Sequence, residues 1–77
     1  MIIDWNVVRS EINEDGIPTL YQAKVGNNII YIERNYKGKY GESNTLDPDV
    51  PYLVECKTWE SARRWVSRYR NKLANMK

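Results

Sequence analysis

The stretch from Ile17 to Tyr36 constrains this chain more than any other, because β-forming and polar residues alternate about a central Gly26-Asn27-Asn28. Glycine and asparagine tolerate the backbone angles that a tight hairpin turn requires. Whether the turn is Gly26-Asn27 or Asn27-Asn28, the pairing parity is the same, and Tyr21, Ala23 and Val25 share a face with Ile30 and Ile32. That face is expected to be core. The other face carries Leu20, Gln22 and Lys24 beside Ile29, Tyr31 and Glu33. It is too apolar for a purely solvated surface and too polar for a second core, so it is expected to be covered or to bind something.

Upstream, Trp5 to Ile12 reads either as a strand or as a short helix capped by Asp4 with Trp5, Val8 and Ile12 on one side. The strand is preferred, because Val7-Val8 favours extended backbone and Asp15-Gly16 supplies a turn before Pro18. From Lys37 to Asp49 the residues Gly38, Gly41, Asn44, Asp47 and Pro48 break any periodicity, which predicts a loop of about a dozen residues. Val50 to Cys56 then reads as a strand with Tyr52, Val54 and Cys56 facing inward and its first residues at an edge because of Pro51.

Thr58 is placed to cap a helix that has Glu60 in its first turn and is expected to run from Trp59 to about Ala74. Trp59, Ala62, Val66, Tyr69, Leu73 and Met76 step by three and four residues, and Trp65 widens the stripe, so one face is expected to pack on the sheet. With 77 residues there is room for one domain and one core. The expected fold is therefore α+β: a four-stranded antiparallel sheet with one C-terminal helix packed on one face.

Charge is distributed unevenly along this plan. Residues 1–60 hold six basic and ten acidic groups, net −4, whereas residues 61–77 hold six basic and no acidic groups. On a continuous helix Arg64, Arg68 and Lys72 fall four apart and Arg63, Arg70 and Lys77 seven apart, so both rows lie away from Val66 and Leu73. One reading is a solvated face whose cations suit the negative end of the helix dipole. The sharper reading is an anion-binding face, because arginine grips phosphate or carboxylate bidentately, with Asn71 and Asn75 as neutral donors.

Composition removes much chemistry. There is no histidine to serve as an imidazole base, and the single Cys56 excludes both a zinc cluster of cysteines and an intramolecular disulfide. Cys56 fits a reducing compartment but reads best as a small buried hydrophobe. Asp47 and Asp49 flank Pro48 in ordinary turn chemistry rather than a Ca²⁺ loop, and Gly38 and Gly41 lack the Gly-Lys-Ser/Thr sequel of a phosphate-cradling loop. No catalytic residue, metal ligand or cofactor site is therefore expected. The N-terminal residues do not read as a leader and no run approaches ~18 apolar residues, which points to a cytoplasmic chain without a membrane partner.

Six tyrosines and three tryptophans without phenylalanine supply both core and stacking surfaces. Tyr36 and Tyr40 alternate with Lys37 and Lys39 around Gly38, an aromatic and basic mixture suited to a nucleic-acid backbone, or else a soluble loop with two half-buried rings.

The pattern Tyr21-x-Ala23-x-Val25, Tyr31-x-Glu33, then Cys56-Lys57-Thr58-Trp59-Glu60-Ser61-Ala62-x-x-Trp65 resembles small phage-encoded proteins built as a β-meander with a C-terminal helix. Lys57-Thr58 through Ala62 and Trp65 also resembles the last strand and helix of the arm-type DNA-binding domain of tyrosine integrases, whose sheet enters the groove. The sheet face here offers Lys24 with Glu33 opposite, so the helix or the Tyr36 to Tyr40 loop is the better candidate for that contact.

The expectation that follows is a non-enzymatic binding protein of a phage or mobile element. Arg63, Arg64, Arg68, Arg70 and Lys72 would contact a DNA or RNA phosphate backbone, assisted by Lys37, Lys39, Tyr36 and Tyr40. The alternative is an inhibitor or adaptor that uses these charges to dock on the acidic surface of a host defence or replication protein. The charge asymmetry would also support self-association, a homodimer included.

Overall fold

In a computed structural model the structure describes residues 3–8, 19–35 and 37–76. Five strands form one sheet: β1 (Asn6–Val7), β2 (Leu20–Val25), β3 (Asn28–Arg34), β4 (Tyr40–Ser43) and β5 (Val54–Cys56). They lie in chain order, each antiparallel to the next, and are followed by α1 (Trp59–Arg68) and α2 (Arg70–Ala74).

The hairpin forms as its alternation requires. Val25 pairs with Asn28, so Gly26-Asn27 is the two-residue turn. Gly26 has φ 63° and Asn27 keeps a negative φ, the combination of a type II′ turn. Ala23, Val25, Ile30 and Ile32 are buried on the face that the helices cover, where they join Ala62, Val66 and Leu73. Each valine, leucine or isoleucine side chain enclosed there contributes roughly 1.5–3 kcal/mol through removal from water. Tyr21, on the same face, lies with its ring centroid 4.2 Å from that of Trp59. Trp5 and Tyr40 surround the same indole at 5.9 and 6.1 Å.

The N-terminal segment takes the strand reading. Asn6 and Val7 pair with Gln22 and Tyr21, and the Val8 amide donates to the Leu20 carbonyl at 2.9 Å. The Asp15-Gly16 turn, Pro18 and residues 9–12 of the expected strand lie outside the described residues.

Among the described residues the sheet has five strands rather than the expected four. The extra one, Tyr40–Ser43, falls within the stretch expected to be loop, and it pairs with both β3 and β5. Its sequence, Tyr-Gly-Glu-Ser, lacks the apolar alternation of a half-buried strand because Gly41 and Glu42 stand where side chains of ordinary strand character would be. The last strand is also shorter than expected. Residues 50–53 stay in the loop, tied to β4 by the Leu53 amide bonding to the Glu42 carbonyl at 2.7 Å. Tyr52 consequently does not face inward with Val54 and Cys56. It crosses to the opposite face of the sheet, where its hydroxyl donates to Glu33 Oε1.

Residues 44–53 cross that second face in turns that close on themselves. Ser43 Oγ donates to the Thr45 carbonyl at 2.8 Å and accepts from the Thr45 amide at 3.1 Å. Asp47 Oδ1 accepts from the Asp49 amide at 2.9 Å, the turn chemistry expected of Asp-Pro-Asp. Leu20 is buried on this side, whereas Ile29, nearer the hairpin tip, is 48% exposed. The second face is thus covered in part.

Candidate functional site

The basic residues are displayed by a helical segment that the sheet holds at both ends. At the start, Thr58 is extended and its hydroxyl accepts from the Ser61 amide at 3.0 Å, while Glu60 lies in the first turn. Ala62 and Val66 are fully buried and Trp59 and Trp65 half-buried, which fixes the rotation of α1. At the far end the Asn28 side-chain amide, from the first residue after the hairpin turn, donates to the carbonyls of Leu73, Ala74 and Met76 at 2.9, 3.1 and 2.8 Å. These bonds supply donors to carbonyls at the helix end, where the Leu73 carbonyl also accepts from the Met76 amide at 3.3 Å.

The segment is two helices rather than the single one expected from Trp59 to Ala74. Tyr69 separates them with φ −104° and ψ 16°, and the Arg70 guanidinium donates to the Ser67 carbonyl at 3.0 Å. Tyr69, which belongs to the inward stripe by spacing, is 40% exposed and packs on Trp65 with ring centroids 4.9 Å apart. Departure from helical geometry at this residue changes the rotation on which the spacing argument depends. Leu73 nevertheless reaches the core.

Arg63, Arg64, Arg68, Arg70 and Lys72 are all exposed. Among the described residues none of the five forms an ion pair. The Arg63 guanidinium lies 5.6 Å from the centroid of the Trp59 ring, which orients it while leaving its donors outward. Lys77, in the outer row by spacing, lies outside the described residues. Asn75 is not a free donor, because its amide bonds to the Asn71 carbonyl at 2.8 Å.

The other expected residues that the structure describes, Lys37, Lys39 and Tyr40, are placed by the loop after β3 and by β4. Asn35 organises the loop after β3: its Oδ1 accepts from the Lys37 and Lys39 amides at 3.0 and 3.1 Å, and its side-chain amide donates to Glu55 at 2.8 Å. Gly38, with φ 77°, completes the reversal. Lys39 stands 3.9 Å from Glu55, so part of its charge is answered within the fold. Lys37 is exposed. Tyr40 is in β4 and packs against the core beside Trp59, which corrects its assignment to a loop surface. Tyr36 lies outside the described residues.

Sequence reasoning missed Glu42. Its register neighbours are Ile32 on β3 and Val54 on β5, which places the carboxyl on the helix side of the sheet. It is completely buried, and among the described residues neither oxygen has a hydrogen-bond partner. Burial raises its pKa from the ordinary 4.5 to about 8, so near neutral pH the group is mostly a neutral acid. Burial also pushes the Cys56 thiol up, with the charge of Glu42 adding to it. No sequence pattern marks such a residue, because a glutamate in a Gly-rich stretch reads as solvated.

Among the described residues no helix is long and apolar enough to cross a membrane. No protein-family model, curated protein or solved structure matches this chain.

Proposed function

We propose that this chain is a small non-enzymatic binding protein whose helical face holds the phosphate backbone of a nucleic acid. One observation supports this reading above others: Arg63, Arg64, Arg68, Arg70 and Lys72 are exposed together on α1 and α2, with no acidic residue between 61 and 77 and no ion pair among the described residues to neutralise any of them. Charges left unpaired by the fold are available to an anion, and arginine's planar fork matches phosphate oxygens. Such contacts position a backbone without reading its bases.

Fluorescence anisotropy of labelled single- and double-stranded DNA tests the proposal. Engagement of three to five phosphates on duplex gives a slope of log affinity against log salt of about −2.7 to −4.5. Arg64→Glu with Arg68→Glu is expected to abolish binding, since both residues are exposed and their replacement leaves the core intact. An affinity indifferent to salt would sink the reading.

A second reading, an inhibitor or adaptor docking on a host protein, is favoured by a different feature. Leu46, Val50 and Leu53 are exposed in the loop over the second sheet face, 57, 44 and 40%. A cluster of this kind is more characteristic of a protein contact than of phosphate binding. Failure of DNA and RNA to bind at low salt, with retention of one defined protein from a lysate, would favour this alternative.

A further inference from the structure

The face of the sheet away from the helices carries a cavity of about 580 Å³ between the strands and the loop of residues 44–53. Its apolar wall includes Leu20, Tyr31, Leu46, Val50 and Tyr52. Tyr31 and Glu33 stand two residues apart on β3 and so project to the same side. The Tyr52 hydroxyl donates to Glu33 Oε1 at 2.5 Å, and both residues line the cavity with Tyr31.

The electrostatic character of this wall follows from Tyr52. Its phenol is pushed up to about 12 by burial first, then by the hydrogen bond to Glu33 and by the charges of Glu33 and Glu55. Both charges acting on the phenol are carboxylates, although Arg34 and Lys37 also line the cavity. Among the described residues no cation pairs with Glu33. An aromatic wall with a carboxylate that no described cation pairs attracts a guanidinium or ammonium group, through ring quadrupoles and a charge-assisted hydrogen bond together.

We propose that this cavity binds a cationic side chain carried by a peptide segment of a protein partner, with the cation on Glu33 and its stem between Tyr31 and Tyr52. The volume exceeds one side chain, and the Leu46 and Val50 wall accommodates apolar neighbours of the cation. This site is independent of the phosphate-binding face, from which the sheet separates it.

The experiment is an amide chemical-shift titration of the full chain with acetyl-Leu-Arg-Leu-amide, and with the same peptide carrying Gln or Glu in place of Arg. The arginine peptide is expected to shift the amides of Tyr31, Glu33, Gly41 and Tyr52 saturably, with a dissociation constant on the order of millimolar, as befits a ligand of this size. The Gln peptide is expected to bind about tenfold more weakly and the Glu peptide not at all. Glu33→Gln is expected to weaken the arginine peptide about fivefold or more, and Tyr31→Leu similarly, with the remaining amide spectrum unchanged. Equal binding of the Arg and Gln peptides, shifts confined to residues 59–76, or no saturable shift at tens of millimolar would overturn the proposal. So would concentration-dependent shifts of the same four amides without peptide that vanish in the Arg64→Glu, Arg68→Glu variant, because the occupant would then be a second copy of this chain. Loss of DNA binding in that variant bears on the helix face alone, so the two readings fail separately.

Discussion

The ring of Tyr52 occupies the space that a side chain at position 41 would need: a Cβ on Gly41 would stand 2.4 Å from Cζ of Tyr52. Glycine at this point of β4 is therefore what lets the loop lie against the sheet. Gly41→Ala is expected to destabilise the fold by about 1–3 kcal/mol through forced displacement of the ring. In the Tyr52→Ala background the same substitution should cost much less, and denaturant unfolding of the four members of this cycle measures the coupling. Additive losses would mean that the ring is not held there.

Glu42 makes stability depend on pH in a definite direction. Its folded pKa, about 8, lies above the ordinary 4.5, so between these values the folded state binds more protons than the unfolded state. Stability is then full below pH 4.5 as far as this group is concerned, and is lost as pH rises toward and through 8. The interval corresponds to at most on the order of 5 kcal/mol, and to a few kcal/mol once local opening admits water to the carboxylate. Urea unfolding at pH 5, 7 and 9 should show this decline, and Glu42→Gln should remove most of the slope. A wild-type protein equally stable at pH 5 and 9 would contradict the burial of an unpartnered acid.

The phenol of Tyr52 provides an independent titration. Glu33→Gln removes a negative charge and leaves a neutral amide oxygen in place of the charged acceptor, so that of the causes that raise the pKa to about 12 burial and the Glu55 charge remain in full. Ultraviolet difference titration should show one tyrosine ionising at lower pH in the variant than in the wild type. Tyr52→Phe should delete the same transition.

Asn28 ties the hairpin to the end of α2. Asn28→Ala removes three contacts to carbonyls at the end of α2, of which that of Leu73 keeps backbone donors, and is expected to cost about 1–3 kcal/mol. Hydrogen exchange should quicken at residues 70–76 before the strands are affected. Gly26→Ala should be worse than an ordinary turn substitution, since φ is 63° and the new Cβ would lie 2.5 Å from that of Ala74.

Removal of the Thr58 cap should affect α1 more mildly. Thr58→Ala is expected to lower stability by about 1 kcal/mol and Thr58→Asp to retain most of it, since aspartate also accepts from the Ser61 amide. Thermal unfolding followed by circular dichroism distinguishes the two.

The parts legible in the sequence were those governed by local repetition. Period two around Gly26-Asn27 located the hairpin and its buried face, and spacing by three and four located Ala62, Val66 and Leu73. β4 was illegible because its pairing depends on neighbours distant in sequence, and its central Gly41 and Glu42 are residues that strands disfavour. Tyr52 was misassigned for a related reason: alternation holds only where the chain is a paired strand, and pairing begins at Val54. Counting charge finds the basic residues, but their two rows presuppose one continuous helix, which is interrupted at Tyr69. The buried acid and the cavity depend on tertiary placement, which local pattern does not encode.

The bonds from Asn28 to residues 73–76 also bear on the order in which this chain can fold during synthesis. A nascent chain that has exposed only the five strands presents Ile30 and Ile32 on an uncovered apolar sheet face, and such a face is open to a chaperone or to another chain. The five residues of α2 are too few to persist as a helix in water by themselves, so their order comes from docking on the hairpin. Completion of the fold therefore waits for a segment 45 residues beyond the turn it grips. Early translation termination would leave a sticky sheet rather than a smaller working protein.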